Sequence, residues 1–207
     1  MNRFKQTPAT AILLVAILIA AFLQLANGGW QGSLSMRGAN RAWQYLQYTG
    51  EYGRLLTSMF LHGGVVHLMM NLLGIYQIGQ IYELMFGTRR LLFIYFVSGI
   101  AASLTSTMRL PLYNSSLGAS GALFGIVGAL IFSILRSPKF RHDRMARNLV
   151  AQCVFIALLN LAIGMQFPII DNAAHIGGFL TGLLLGAILP HRTPPPPPQT
   201  VIDVTPS

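Results

Sequence analysis

Four polar side chains set in apolar stretches carry the chemistry open to this sequence. Ser120 stands in GASGALFGIVGAL (118–130), His175 in DNAAHIGGFLTGLLLG, and His67 and Asn71 lie four apart in FLHGGVVHLMMN. Histidine beside serine is a general base beside a nucleophile. A spacing of four puts His67 and Asn71 on one helix face, where both can donate hydrogen bonds. A helix opening at Ser120 adds free backbone N–H groups and a favourable dipole. Such donors together can make an oxyanion hole. Everything then depends on whether the chain brings these residues to one place.

The elements that must do so are apolar. Of 207 residues, 53% are hydrophobic and only 9% are charged, against roughly 25% charged in an average soluble domain. The charges cut the chain into pieces close to the ~20 residues that cross a bilayer. Six such pieces stand out, at about residues 8–27, 65–86, 91–109, 120–136, 148–164 and 173–190. The fold class expected is an all-α integral membrane protein, a bundle of six transmembrane helices occupying residues 1–191. The first piece is longer than the roughly 7–15 apolar residues at the core of a cleaved signal peptide, so it reads as a span.

The net charge of +9 is informative through its distribution. With the N-terminus cytoplasmic, Arg3, Lys5, Arg89, Arg90, Arg136, Lys139, Arg141, Arg144, Arg147 and Arg192 fall inside, and Arg37, Arg41, Arg54 and Arg109 fall outside. That asymmetry follows positive-inside sorting and places both termini in the cytoplasm. The basic loop RSPKFRHDRMARN reads as an orientation signal in contact with anionic lipid, and no nucleic-acid partner is expected. The segment between the first two pieces holds both tryptophans and three of seven tyrosines; it reads as a lid-like outer loop with short helical parts at the interface. PPPPP at 194–198 implies extended polyproline II, within a disordered cytoplasmic tail at 192–207. The single Cys153 excludes a disulfide framework within the chain.

In this topology pieces two, four and six all run from outside to inside. His67, Asn71, Ser120 and His175 then lie within about the first two turns of their helices, in one layer near the outer face. Elimination narrows the chemistry further. Both lysines and all three aspartates fall outside the spans, which removes a Ser-Lys pair and an intramembrane aspartate pair. No H-E-x-x-H motif is present. His62, His67 and His175 lack a carboxylate or cysteine to complete a metal set, so no metal or other cofactor is expected. Taken alone, Ser120 reads better as a small residue between packed helices; its companions at the same depth reverse that reading. Gly121, Gly125 and Gly128 on one piece and Gly178, Gly182 and Gly186 on another are assigned to packing, and the close approach they permit is what a Ser120–His175 hydrogen bond needs.

These residues resemble the rhomboid family of intramembrane serine proteases from about Gly50 to Gly186. The likeness is carried by RLLTSMFLHGGVVHLMMN, by the GxxxExxxG of Gly79, Glu83 and Gly87, by Gly118-Ala119-Ser120-Gly121, and by AHIGGFLTGLLLG. It implies that Ser120 is the nucleophile and His175 the base of a dyad without an aspartate. It further implies that His67, Asn71 and the Ser120 backbone N–H hold the oxyanion, and that Phe124 lies against the histidine. Gly118 fits the turn before the fourth span. Glu83, about 18 to 24 Å along the helix from His67, reads as structural, a polar clasp with Arg89 and Arg90. One departure is Gly53-Arg54, where many members carry Trp-Arg.

The resemblance implies a minimal bacterial form in the cytoplasmic membrane, cleaving membrane-anchored proteins whose transmembrane helix unwinds easily. A non-proteolytic relative that binds or guides other membrane proteins is the alternative; it would usually lack the serine or the histidine, and both are present. A small transporter or channel would need a polar path through both leaflets, whereas the polar residues here stop in the outer half.

Overall fold

A computed structural model describes residues 3–189; Arg192, the proline run and the rest of the 192–207 tail lie outside the described residues. After a helical turn, Arg3–Gln6, the first long helix α1 runs Pro8–Ala26. Proline at its first turn costs nothing, because that N–H has no helical partner. It stops at Asn27, followed by Gly28 and Gly29, both at positive φ. Ala9, Leu13, Ile17, Ala21 and Gln24 face the protein, while Ile12, Val15, Leu18, Ile19 and Phe22 are each at least half exposed. Large apolar side chains facing outward around a polar-stitched interior are arranged for lipid rather than water.

The outer segment is built from short pieces: α2 (Ser33–Gly38), strand β1 (Asn40–Arg41), α3 (Trp43–Thr49), α4 (Arg54–Thr57) and a 3₁₀ turn (Ser58–Phe60). β1 pairs antiparallel with β2 (Ser115–Ser116), Asn40 opposite Ser116. Arg54, the arginine after Gly53, is only 6% exposed. It ties the segment together by donating to the carbonyls of Met36 (2.8 Å) and Ala39 (3.1 Å) and to Glu51 (2.6 Å).

Then come α5 (Val65–Phe86), bent 91° from Arg54–Phe60, α6 (Thr88–Thr107), α7 (Ser120–Arg136), α8 (Arg144–Gln166) and α9 (Asn172–Ile188). α1, α6 and α8 are each long and apolar enough to span a membrane, and the bent pair counts as one further span at most. α7 and α9 are apolar helices of 17 residues, at the lower end of what crosses a bilayer. The chain is a mostly helical integral membrane protein. Two helices begin earlier than charge placement suggests. α6 starts at Thr88 because Gly87, at φ 99°, breaks the chain there; α8 starts at Arg144 because Asp143 caps it by accepting from Ala146 N at 2.8 Å. Charges mark where a helix leaves the apolar layer, and caps mark where it ends.

α6, α7 and α9 form the tight centre. A Cβ at Gly178 would run into the Gly121 carbonyl, one at Gly182 into the Gly125 carbonyl and one at Gly128 into the Phe179 carbonyl. The two short helices therefore touch backbone to backbone, as small residues allow in membranes. α8 is looser: Cys153 and Ala157 are buried, while Phe155, Ile156, Leu158 and Leu159 are exposed.

The clasp expected between Glu83 and the nearby arginines needs correction, since the carboxylate closes on α1 instead. Oε1 accepts from Ala9 N (2.9 Å), and Oε2 accepts from Thr10 N and Thr10 Oγ1 (both 2.8 Å). An anion here satisfies N–H groups that the helix leaves free and meets the positive end of its dipole. The flanking glycines serve the same contact: a Cβ at Gly79 would press on Thr10 Oγ1 at 3.3 Å, and Gly87 makes the positive-φ turn after the helix. Replacing Glu83 with leucine strands these buried donors; a loss of about 2 kcal/mol or more is expected, read as a lower Tm in detergent.

Candidate active site

Ser120 is the first residue of α7 and His175 lies one turn into α9. The glycine-lined crossing of these helices brings His175 Nε2 to 2.9 Å from Ser120 Oγ. His175 is 6% exposed, and Ser120 is partly open. The imidazole plane is set by Phe124, one turn beyond Ser120, stacked on it at 4.2 Å between centroids and 7° between planes. An aromatic face at that distance also favours any positive charge that develops on the ring.

The other imidazole nitrogen, Nδ1, is buried with no hydrogen-bond partner. Asp171, four residues earlier, does not supply one, because its carboxylate is occupied. Oδ1 accepts from Ala174 N at 2.9 Å, capping α9, and Oδ2 accepts from Ser106 Oγ of α6 at 2.5 Å. Serine and histidine therefore stand as a pair with no third member.

His67 and Asn71 lie on α5 beside the turn before Ser120. That turn needs glycine twice over: Gly118 has φ 131°, and a Cβ there would stand 2.6 Å from His67 Nε2 and 3.9 Å from Asn71 Nδ2. Gly118 N donates to Ser58 O at 2.9 Å, and β2 anchors the residues just before it. His67 Nδ1 accepts from Gly63 N at 3.4 Å. Its ring proton therefore belongs on Nε2, facing Gly118. Asn71 donates one amide hydrogen to His67 O at 3.0 Å, leaving the other free. Gly118, two residues before Ser120, thus links the Ser120–His175 pair to the side chains of His67 and Asn71, and the first free N–H groups of α7 follow directly after it.

The remaining residues read from the sequence fall elsewhere. His62 packs edge-on to His67 at 5.1 Å between centroids, both its ring nitrogens buried without partners. Cys153 is buried and free, and Asn160 donates to Ile156 O in its own helix. Three contributors escape a reading that looks only for intramembrane polar groups. Asp171 falls in a loop by charge placement, although aspartate three positions before Ala174 is a helix-cap signal. Ser106 leaves no signal. Neither does Gln24 of α1, which donates to His62 O (2.9 Å) and Ser35 Oγ (2.7 Å) and accepts from His62 N (3.0 Å).

Comparison with known proteins agrees with this architecture. Residues 49–192 match the rhomboid domain. The chain is 36% identical to the rhomboid protease GluP of Bacillus subtilis (strain 168) over 183 residues, covering 88% of this chain and 35% of GluP. It is 40% identical to the mitochondrial RHOMBOID-like protein 6 of Arabidopsis thaliana over 147 residues, 71% of this chain and 47% of that protein. It is also 34% identical to the inactive RHOMBOID-like protein 8 of the same plant over 143 residues, 68% of this chain and 39% of that protein. The chain spans less than half the length of each of these curated relatives. With a domain match across most of its length and helices packed as described, the chain belongs to the rhomboid family.

Proposed function

We propose that this protein is a serine endopeptidase that cleaves membrane-anchored proteins within or beside their transmembrane helix. The observation that carries the reading is the 2.9 Å contact between Ser120 Oγ and His175 Nε2 at the buried crossing of α7 and α9. His175 takes the serine proton as Oγ attacks the peptide carbonyl. The carbonyl oxygen, now negative, is held by the Ser120 backbone N–H, His67 Nε2–H and the free Asn71 amide hydrogen. His175 then protonates the leaving amine, and water hydrolyses the acyl-enzyme by the same route. The imidazolium formed on the way has the Phe124 face in place of a carboxylate, so the pair acts as a dyad. Gly118 keeps the oxyanion space empty, since any side chain there would reach His67.

The proposed topology has six spans, with α7 and α9 as the two short ones and both termini cytoplasmic. Arg89 and Arg90 at the start of α6, and the basic run from Arg136 at the end of α7 to Arg147 in the first turn of α8, against Arg37, Arg41 and Arg54 around α2–α4, support it. Residues 1–191 form the membrane domain and 192–207 a cytoplasmic tail. The site then opens toward the outer face of a bacterial cytoplasmic membrane. The inactive relative makes a non-proteolytic binding role the alternative, and one experiment separates the two. A fluorophosphonate probe is expected to label the wild-type chain on Ser120 and to label neither Ser120→Ala nor His175→Ala. Absence of labelling in the folded wild type would falsify the protease reading.

A further inference from the structure

Away from the Ser120–His175 crossing, a cavity of about 520 Å³ lies between the end of α1 and the outer segment. Its lining is mostly apolar, with Ala20, Leu23, Leu34, Phe60 and Leu61, and includes the charged side chains Arg37, Glu51 and Arg54. These charges are unevenly matched. Arg54 and Glu51 form the one ion pair among the described residues, at 2.6 Å. Its hydrogen bond from Arg54 holds the Glu51 carboxyl below the usual carboxylate range, so Glu51 stays an anion already matched. Arg37 is exposed and has no acidic partner among the described residues. The lining is left with one unmatched guanidinium beside apolar side chains at the end of α1.

We infer that this groove binds one anionic phospholipid, its acyl chain on the α1 and Leu34–Leu61 surface and its phosphate on Arg37. The charge decides the occupant. A guanidinium offers paired donors to a phosphate, and a basic side chain at the headgroup level favours anionic over zwitterionic lipid. Gly53 decides the room. It lines the groove, a Cβ built on it meets nothing within 4 Å, and its φ of −56° and ψ of −22° suit any residue. A large side chain at position 53 would therefore fill the groove without backbone strain. This inference is independent of the proteolytic reading.

The test uses the full chain, delipidated in a mild detergent and offered equal amounts of phosphatidylglycerol and phosphatidylcholine with the same acyl chains. Retained lipid is counted by native mass spectrometry. The wild type is expected to keep one phosphatidylglycerol in preference to phosphatidylcholine. Arg37→Gln is expected to lose that preference by about fivefold, the worth of one basic side chain beside anionic lipid. Gly53→Trp is expected to lose both lipids while melting at the wild-type temperature. Equal retention of the two lipids by the wild type, or unchanged phosphatidylglycerol on both variants, overturns the proposal. So does a raised substrate KM in the variants with lipid retention unaltered, which would assign the groove to a protein helix.

Discussion

Ser120→Ala and His175→Ala are each expected to lower the kcat for cleavage of a membrane-anchored reporter by about 10⁴- to 10⁶-fold, the range seen when one member of a serine–histidine unit is lost. Loss of either removes nearly the whole effect, because an unactivated hydroxyl and a base without a nucleophile are equally idle. The double variant should therefore be no worse than either single one. Ser120→Ala deletes one oxygen at a partly open position and leaves the glycine crossing of α7 and α9 intact, so insertion and melting temperature should match the wild type. Wild-type cleavage by Ser120→Ala in purified form would end the nucleophile assignment.

His67→Ala and Asn71→Ala test the other half of the mechanism. Each is expected to reduce kcat by about 10²- to 10³-fold with little change in KM, since a donor aimed at the developing oxyanion acts mainly in the transition state. The serine should still react with a fluorophosphonate in both variants, at a reduced rate. Reduced kcat with retained labelling separates a lost oxyanion donor from a lost dyad. Unchanged kcat in both variants would remove α5 from the chemistry and leave the helix-start N–H groups alone.

The parts of this site legible in the sequence are those governed by depth and spacing. Charge-free length places the apolar pieces, and helix direction puts Ser120, His175, His67 and Asn71 near one another because each lies close to the same end of its helix. The glycines four apart on α7 and α9 point to a close crossing from spacing alone. What stays hidden is pairing between distant backbone groups and side chains. Glu83 meets Ala9 and Thr10 more than seventy residues away, whereas the sequence offers only its local neighbours Arg89 and Arg90 as partners. Ser106 reaches Asp171 across two helices, and no periodicity records that. Arg54 shows the same limit: its isolated charge in an aromatic loop does not reveal that it is buried on two carbonyls.

The amide of Gln24 behaves toward His62 as a neighbouring peptide would, offering one donor and one acceptor to its main chain. It thereby immobilises the peptide leading into Gly63, whose N–H is the group that meets His67 Nδ1. The position of a single proton on the His67 ring is in this way governed by the first helix of the chain, about forty residues upstream. Removing that helix would leave every residue around Ser120 in the polypeptide, yet the ring beside Gly118 would be free to carry its hydrogen on the wrong nitrogen.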